Sequence, residues 1–199
     1  QEKILTMKYI IPETLLLKSN AEKSTDYKII LCICYIKKLK GIEHLIRAFQ
    51  NLNRNDSILM IGGTGEEEDN LKTLSAGQKN ILFLGYLDDE EKAKFYSMAD
   101  IFVLPTLSDA WGFVINEAMY YGLPIITTDA AGATDLIKGN GIIIKAGDES
   151  QLKKALEDLL NDDDLREKMG NKSKKIISKY DINYAVNFLK NVIEYTNKS

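Results

Sequence analysis

Between Lys28 and Thr128, short apolar runs alternate with segments whose apolar residues recur every three or four positions. Residues 29–36 form one such run, of strand length, and Ile42, Leu45, Ile46 and Phe49 follow at helical spacing. Residues 57–61 predict a second strand, broken by Gly62-Gly63-Thr64-Gly65 before an acidic helix start at Glu66. A third strand is expected over 81–84, and Asp88 is placed to cap a helix running to about Ala99. Residues 101–104 and 124–128 read as the fourth and fifth strands, and 142–144 as a last edge strand. Helical patterns then cover 152–160, 163–179 and 182–196. Strands this short and this apolar, each followed by an amphipathic helix, predict a mostly parallel sheet covered on both faces. The expected fold class is therefore α/β, doubly wound and Rossmann-like, with extra C-terminal helices and its ligand site beyond the carboxyl ends of the strands.

Residues 1–27 lack this regularity and read as a linker, which leaves 28–199 as one domain. The 199 residues are 45% hydrophobic, enough for one substantial core. Twenty-six basic against 29 acidic side chains leave a net charge of −3, which gives no footprint for nucleic acid and no polybasic membrane patch. No apolar run approaches the roughly 20 residues that span a bilayer, and no secretory signal is recognisable. Cys32 and Cys34 stand two apart in a strand, too close for an ordinary disulfide and without partners for zinc, so they read as reduced core thiols. These features predict a cytoplasmic location. The first residue, Gln1, is read as the start of a fragment or processed product.

The densest chemistry lies between Pro105 and Pro124. The chain leaves a strand, turns through residues 108–112, and enters a helix near Gly112. That geometry brings the first-turn amides of Gly112, Phe113 and Val114 to the cleft, an anion site suited to a diphosphate. Helical side chains lean toward the N-terminus, so Glu117 is expected to reach the same cleft and accept hydrogen bonds from a vicinal diol. Asp109, in the turn, faces that space too. The single histidine, His44, has no nucleophile or acid in register and reads as structural, while Trp111 and Tyr121 read as packing residues.

The Asp109-x7-Glu117 spacing, set in Asp-Ala-Trp-Gly-Phe and Glu-Ala-Met-x-x-Gly-Leu-Pro, resembles the Glu-x7-Glu signature of family 4 ("group 1") retaining glycosyltransferases with the GT-B fold. Lys40-Gly41, the Gly-rich turn at 62–65, Phe83-Leu84-Gly85-Tyr86-Leu87, residues 99–105 and Gly147-Asp148 are similar to further family positions in the same order. The resemblance implies the C-terminal half of a GT-B fold, with the acceptor-binding N-terminal domain absent from this chain. It implies a nucleotide-diphosphate sugar donor, UDP- or GDP-linked. Lys40 would pair with the diphosphate, Glu117 would hold the ribose, and the base would lie near Tyr86 and Leu87. Gly63 would line the donor site and Asp109 would contact the transferred sugar. Lys40 and Asp109 are thus the expected catalytic residues; the acceptor hydroxyl attacks from the face the diphosphate leaves. No cofactor or metal is required, and no residues are spaced like metal ligands.

Two positions depart from the family pattern. Tyr35 stands where an Arg is usual, which removes a bidentate phosphate clamp. Asp109 is one methylene shorter than the usual Glu. The resemblance also implies that this half alone is inactive and that an acceptor glycan, lipid or small molecule binds through the absent domain. Docking at the inner membrane face through that domain stays open. So do two other functions: a GT-B-fold nucleotide-sugar epimerase, and a weakened nucleotide-sugar-binding module.

Overall fold

In the computed structural model, which describes residues 26–180 together with Tyr184, Val186, Asn187, Lys190 and Ile193, six parallel strands form one sheet. They are β1 (Lys28–Ile33), β2 (Ser57–Gly62), β3 (Ile81–Gly85), β4 (Ile101–Leu104), β5 (Ile125–Thr128) and β6 (Gly141–Ile144). The helices are α1 (Ile42–Gln50), α2 (Glu68–Leu74), α3 (Asp89–Met98), α4 (Phe113–Tyr120), α5 (Glu149–Asn161) and α6 (Asp163–Ile177). The expected linker at 1–27 lies outside the described residues except for Asp26 and Tyr27, as does most of the helix expected over 182–196.

The strand order is β3-β2-β1-β4-β5-β6. The chain therefore winds outward from β1 to one edge, returns beside β1 with β4, and winds to the other edge. The order reverses between β1 and β4, and doubly wound sheets bind ligands at that crevice. Both central strands are buried throughout the sheet's middle: residues 29–32 and 101–104 are completely inaccessible. On one face α1 packs against α2 and α5; on the other, α4 packs against α3 and α6. The amphipathic stripe read at Ile42, Leu45, Ile46 and Phe49 is the buried face of α1.

One boundary moves. The first strand ends at Ile33, not residue 36, because the chain beyond it bends to meet the turn after β2. Cys34 N–H donates to the Gly62 carbonyl at 3.1 Å and Ile36 N–H to that of Thr64 at 2.9 Å. The turn can come this close only because Gly63 and Gly65 lack side chains. A Cβ on Gly63 would lie 1.9 Å from the Cys34 carbonyl oxygen, and one on Gly65 2.1 Å from that of Ile36. Cys32 and Cys34 are buried thiols, with Cys34 and burial pushing the Cys32 thiol well above its ordinary pKa.

Helix ends follow local chemistry. Asp88 accepts from the Glu91 amide at 2.8 Å while the Glu91 carboxylate accepts from the Asp88 amide at 3.0 Å, a complete capping box for α3. At the far end, α6 lies so close to α4 that a Cβ on Gly170 would meet the Gly122 carbonyl oxygen at 2.2 Å. The buried Ser173 hydroxyl donates to the Leu123 carbonyl at 2.7 Å in the same contact. Among the described residues no helix is long and apolar enough to cross a membrane.

Candidate functional site

The loops leaving β1 and β4 meet across the crevice between those strands. After β1 the chain makes a single 3-10 turn, Lys38–Lys40, closed by Gly41 at φ 64°. A side chain at Gly41 would drive its Cβ to 2.2 Å from the Pro105 carbonyl oxygen, so glycine is required twice, for conformation and for space. The Leu39 carbonyl accepts from the Leu107 amide at 2.7 Å and from the Thr106 hydroxyl at 3.0 Å. Thr128, at the end of β5, donates its hydroxyl to the Thr106 carbonyl at 2.6 Å. Buried threonine hydroxyls thus tie the outlets of β1, β4 and β5 into one frame.

That frame brings together Lys40 and Asp109, 69 positions apart in sequence, as a direct ion pair. Both side chains are largely buried, 15% and 14% exposed. The other Asp109 oxygen accepts from the Trp111 amide at 3.1 Å, and its backbone joins the loop after β5 through Ala130 and Gly132. The carboxylate is thereby oriented from three sides. The residues expected to meet diphosphate and sugar neutralise each other in this structure.

Gly112, at φ 89°, is the residue before α4, and Phe113 and Val114 open the helix, close to the expected start. Their first-turn amides lie where the helix dipole is positive. Glu117 sits about 7 Å farther along α4 at 1.5 Å per residue and turns toward α3, where its Oε2 accepts from the Tyr96 hydroxyl at 2.8 Å. Only 9% of Glu117 is exposed. Burial pushes its carboxyl above the ordinary range, Asp89 pushes the same way, and Tyr96 and Lys92 pull it back. The two acids therefore have separate neighbours: Asp109 the Lys40 ammonium, Glu117 the α3 side chains Tyr96, Lys92 and Asp89.

The remaining expected residues divide. Tyr86 follows β3 and is 76% exposed at the carboxyl end of the sheet. Leu87 is a core residue whose Cδ1 would lie 2.6 Å from a Cβ on Gly62, so only its main chain is available to a base. Gly63 donates its amide to the Gly85 carbonyl at 2.7 Å; its evident work is to let two loops touch. Trp111 donates its indole N–H to the buried Asn116 at 3.1 Å, and Tyr121 stacks on Tyr96 at 5.4 Å, both as packing residues. His44 pairs through Nδ1 with Glu149 at 2.9 Å, joining α1 to α5. Tyr35 is exposed, its phenol raised by the neighbouring Glu66. Tyr96 itself was not legible as a site residue: in sequence it is one more large side chain on the inner face of a helix. Among the described residues no three His, Cys, Asp or Glu side chains are grouped to hold a metal ion.

The sequence pattern of the family described as "Glycosyl transferases group 1" matches residues 16–176. An uncharacterized glycosyltransferase of Methanocaldococcus jannaschii is 32% identical over 162 residues, which are 78% of this chain and 42% of that protein. The chain spans about half the length of the curated relatives it matches. A solved C-terminal domain of a glycosyl transferase group 1 protein, LpcC of Francisella tularensis, superposes with TM-score 0.72 at 25% identity, covering 80% of this chain and 90% of that one. The structure of S. aureus TarM in complex with fondaparinux, α-GlcNAc-glycerol and UDP superposes with TM-score 0.81 at 22% identity, over 96% of this chain and 39% of that one. A switch-point crevice with a helix N-terminus beside it, the family pattern over most of the length, and a match to an isolated C-terminal domain agree: this chain belongs to the glycosyl transferases group 1 family and has the fold of the C-terminal half of its GT-B enzymes.

Proposed function

We propose that this chain is the donor-binding half of a retaining glycosyltransferase, holding a nucleoside-diphosphate sugar across the carboxyl ends of β1, β3 and β4. The observation that carries the reading is the Lys40 ammonium paired with Asp109 Oδ2, itself 3.8 Å from where a Cβ on Gly112 would stand at the start of α4, at the crevice where the strand order reverses. The diphosphate lies between them: the ammonium supplies point charge, and the α4 amides supply aimed donors that need no reorganisation as the bond to the sugar breaks. The ribose diol reaches Glu117 and the base lies by exposed Tyr86, so base, ribose and diphosphate run from α3 toward the crevice. Asp109 changes partner when donor binds, releasing Lys40 to the diphosphate and turning to the sugar. The acceptor and the other cleft wall belong to a further domain. This arrangement places charge stabilisation on Lys40 and main-chain amides and calls for no metal.

A binding module without transfer activity is favoured by one observation: Asp109 neutralises Lys40, leaving the crevice with little net positive charge. Calorimetric titration with UDP, GDP and their sugars tests the donor site that both readings share, and a sugar-transfer assay of the protein joined to its further domain separates them. Binding that is lost in Lys40→Ala and in Glu117→Ala supports the donor site, and absence of binding to every nucleotide overturns it.

A further inference from the structure

Tyr96 is completely buried, yet carries a hydroxyl that a core residue does not need. Its ring stacks on Tyr121, with centroids 5.4 Å apart and planes 15° from parallel, and tilts against Phe102 of β4 at 5.8 Å. A phenylalanine would fill the same space. The hydroxyl donates to Glu117 Oε2 at 2.8 Å, from α3 across to α4. Glu117 can turn about three side-chain torsions, but it is buried, and the Tyr96 bond holds one of its carboxylate oxygens. With Oε2 engaged by Tyr96, Oε1 and the remaining lone pair of Oε2 are the acceptors left for a ligand.

We propose that Tyr96 is a positioning residue of the donor site: its hydroxyl fixes the Glu117 carboxylate in the one orientation that accepts both hydroxyls of a ribose. This inference rests on the proposed donor site and gives that site a preference for ribonucleotides over their deoxy counterparts. Tyr96 is suited to that part because it cannot lose its proton: burial and the Glu117 charge push its phenol well above the ordinary range, so it is a permanent donor. Its bond also favours the ionised form of Glu117, against burial, which disfavours it. The groups facing the carboxylate are few. Lys92 and Asp89 on α3 act in opposite directions, Tyr121 lies on its own helix side, and Cys32 of β1 stands behind Tyr96. Without the Tyr96 hydroxyl, Lys92 alone opposes burial, Glu117 takes up a proton at higher pH, and a protonated carboxyl offers the diol fewer acceptors.

The test uses the full 199-residue chain as wild type, Tyr96→Phe and Glu117→Gln. UDP and GDP are titrated calorimetrically across pH, followed by the 2′-deoxy counterpart of whichever binds. Wild type is expected to favour the ribonucleotide. Tyr96→Phe, with unchanged circular dichroism, should bind the ribonucleotide about fivefold more weakly, the value of one net hydrogen bond, and the deoxynucleotide within about twofold of wild type. Its loss of ribonucleotide binding on acidification should begin at higher pH. An unchanged ribo-to-deoxy ratio and an unchanged acid limb overturn the proposal and leave the hydroxyl as a tie between helices. A wild type that binds neither nucleotide, or a Glu117→Gln protein with the wild-type ratio, overturns the donor-site reading itself. Should Tyr96→Phe fail to fold, Glu117→Asp draws the carboxylate one methylene back from the hydroxyl and is expected to lose the same ratio; retention of that ratio overturns the proposal equally.

Discussion

Replacing Asp109 by Asn is expected to tighten the binding of UDP, although Asp109 lies at the centre of the site. In this structure Asp109 holds the Lys40 ammonium, with both side chains about six-sevenths buried. Under the proposed donor reading, a diphosphate must displace that carboxylate and then sit beside it. At an effective dielectric of about 20, two unit charges about 4 Å apart interact by roughly 4 kcal/mol; the desolvation already spent on the pair offsets much of it. If about a third of that attraction opposes the diphosphate, removing the charge gains about 1.4 kcal/mol, or tenfold in Kd. Asn keeps an oxygen for the Trp111 amide, so the turn should hold its shape. The folded protein without donor should lose roughly 1–3 kcal/mol, because Lys40 is left partly buried without its counter-charge. Titrating UDP and a UDP-sugar side by side separates the effects. UDP alone should bind more tightly in Asp109→Asn, while any extra affinity conferred by the sugar should fall. The wild-type affinity should also depend less steeply on salt than the variant's. Weaker or unchanged UDP binding in Asp109→Asn, with Lys40→Met also impaired, would refute the idea that the two acceptors compete for one ammonium.

Gly41→Ala should cost roughly 3 kcal/mol, from a left-handed backbone and a Cβ facing the Pro105 oxygen, and lower Tm by on the order of 10 °C. Calorimetric melting checks this, and nucleotide binding should fall with it because Lys40 is adjacent. Asp88→Ala removes half of the α3 capping box and should destabilise by about 1 kcal/mol in urea unfolding, with the Glu91 carboxylate left unable to compensate. Glu117→Gln should give a protein more stable than wild type at neutral pH, measured by Tm. The sign follows from burial raising the Glu117 carboxyl: its contribution is complete below the unfolded pKa and is lost as pH rises through the folded one. The Tm advantage of the variant should therefore shrink as pH is lowered toward about 4, the ordinary range of a free Glu.

The alternation of apolar runs and helical stripes was enough to place six strands and the helices between them, because strands buried on both faces have almost no polar positions to blur them. Where an end was misjudged, at residues 34–36, apolar composition continued past the point at which two glycines in another loop pull the chain aside. That cause lies almost 30 residues away and has no local signature. The start of α4 was legible for a local reason, a glycine turn feeding a helix. The partners of its acidic residues were not. Lys40 meets Asp109 and Tyr96 meets Glu117 only through the order in which strands and helices assemble, which periodicity does not encode. Leu87 shows the converse: proximity to a loop of interest says nothing about which way a side chain points, and this one points into the core.

The threonine ties at the crevice have a consequence for how such a protein changes over generations. Thr106, Thr127 and Thr128 each donate to a main-chain oxygen, of Leu39 and Ser108, Leu104, and Thr106 respectively. None of them depends on the identity of the residue it holds. Exchanging a side chain in the loop after β4 therefore removes that side chain's own contacts, such as the Asp109–Lys40 pair, but leaves the threonine ties in place. Asp109 is one tenant of that durable address; under the proposed donor reading, a lineage can sample new sugar preferences there at the cost of one ion pair while the threonine frame stays in place.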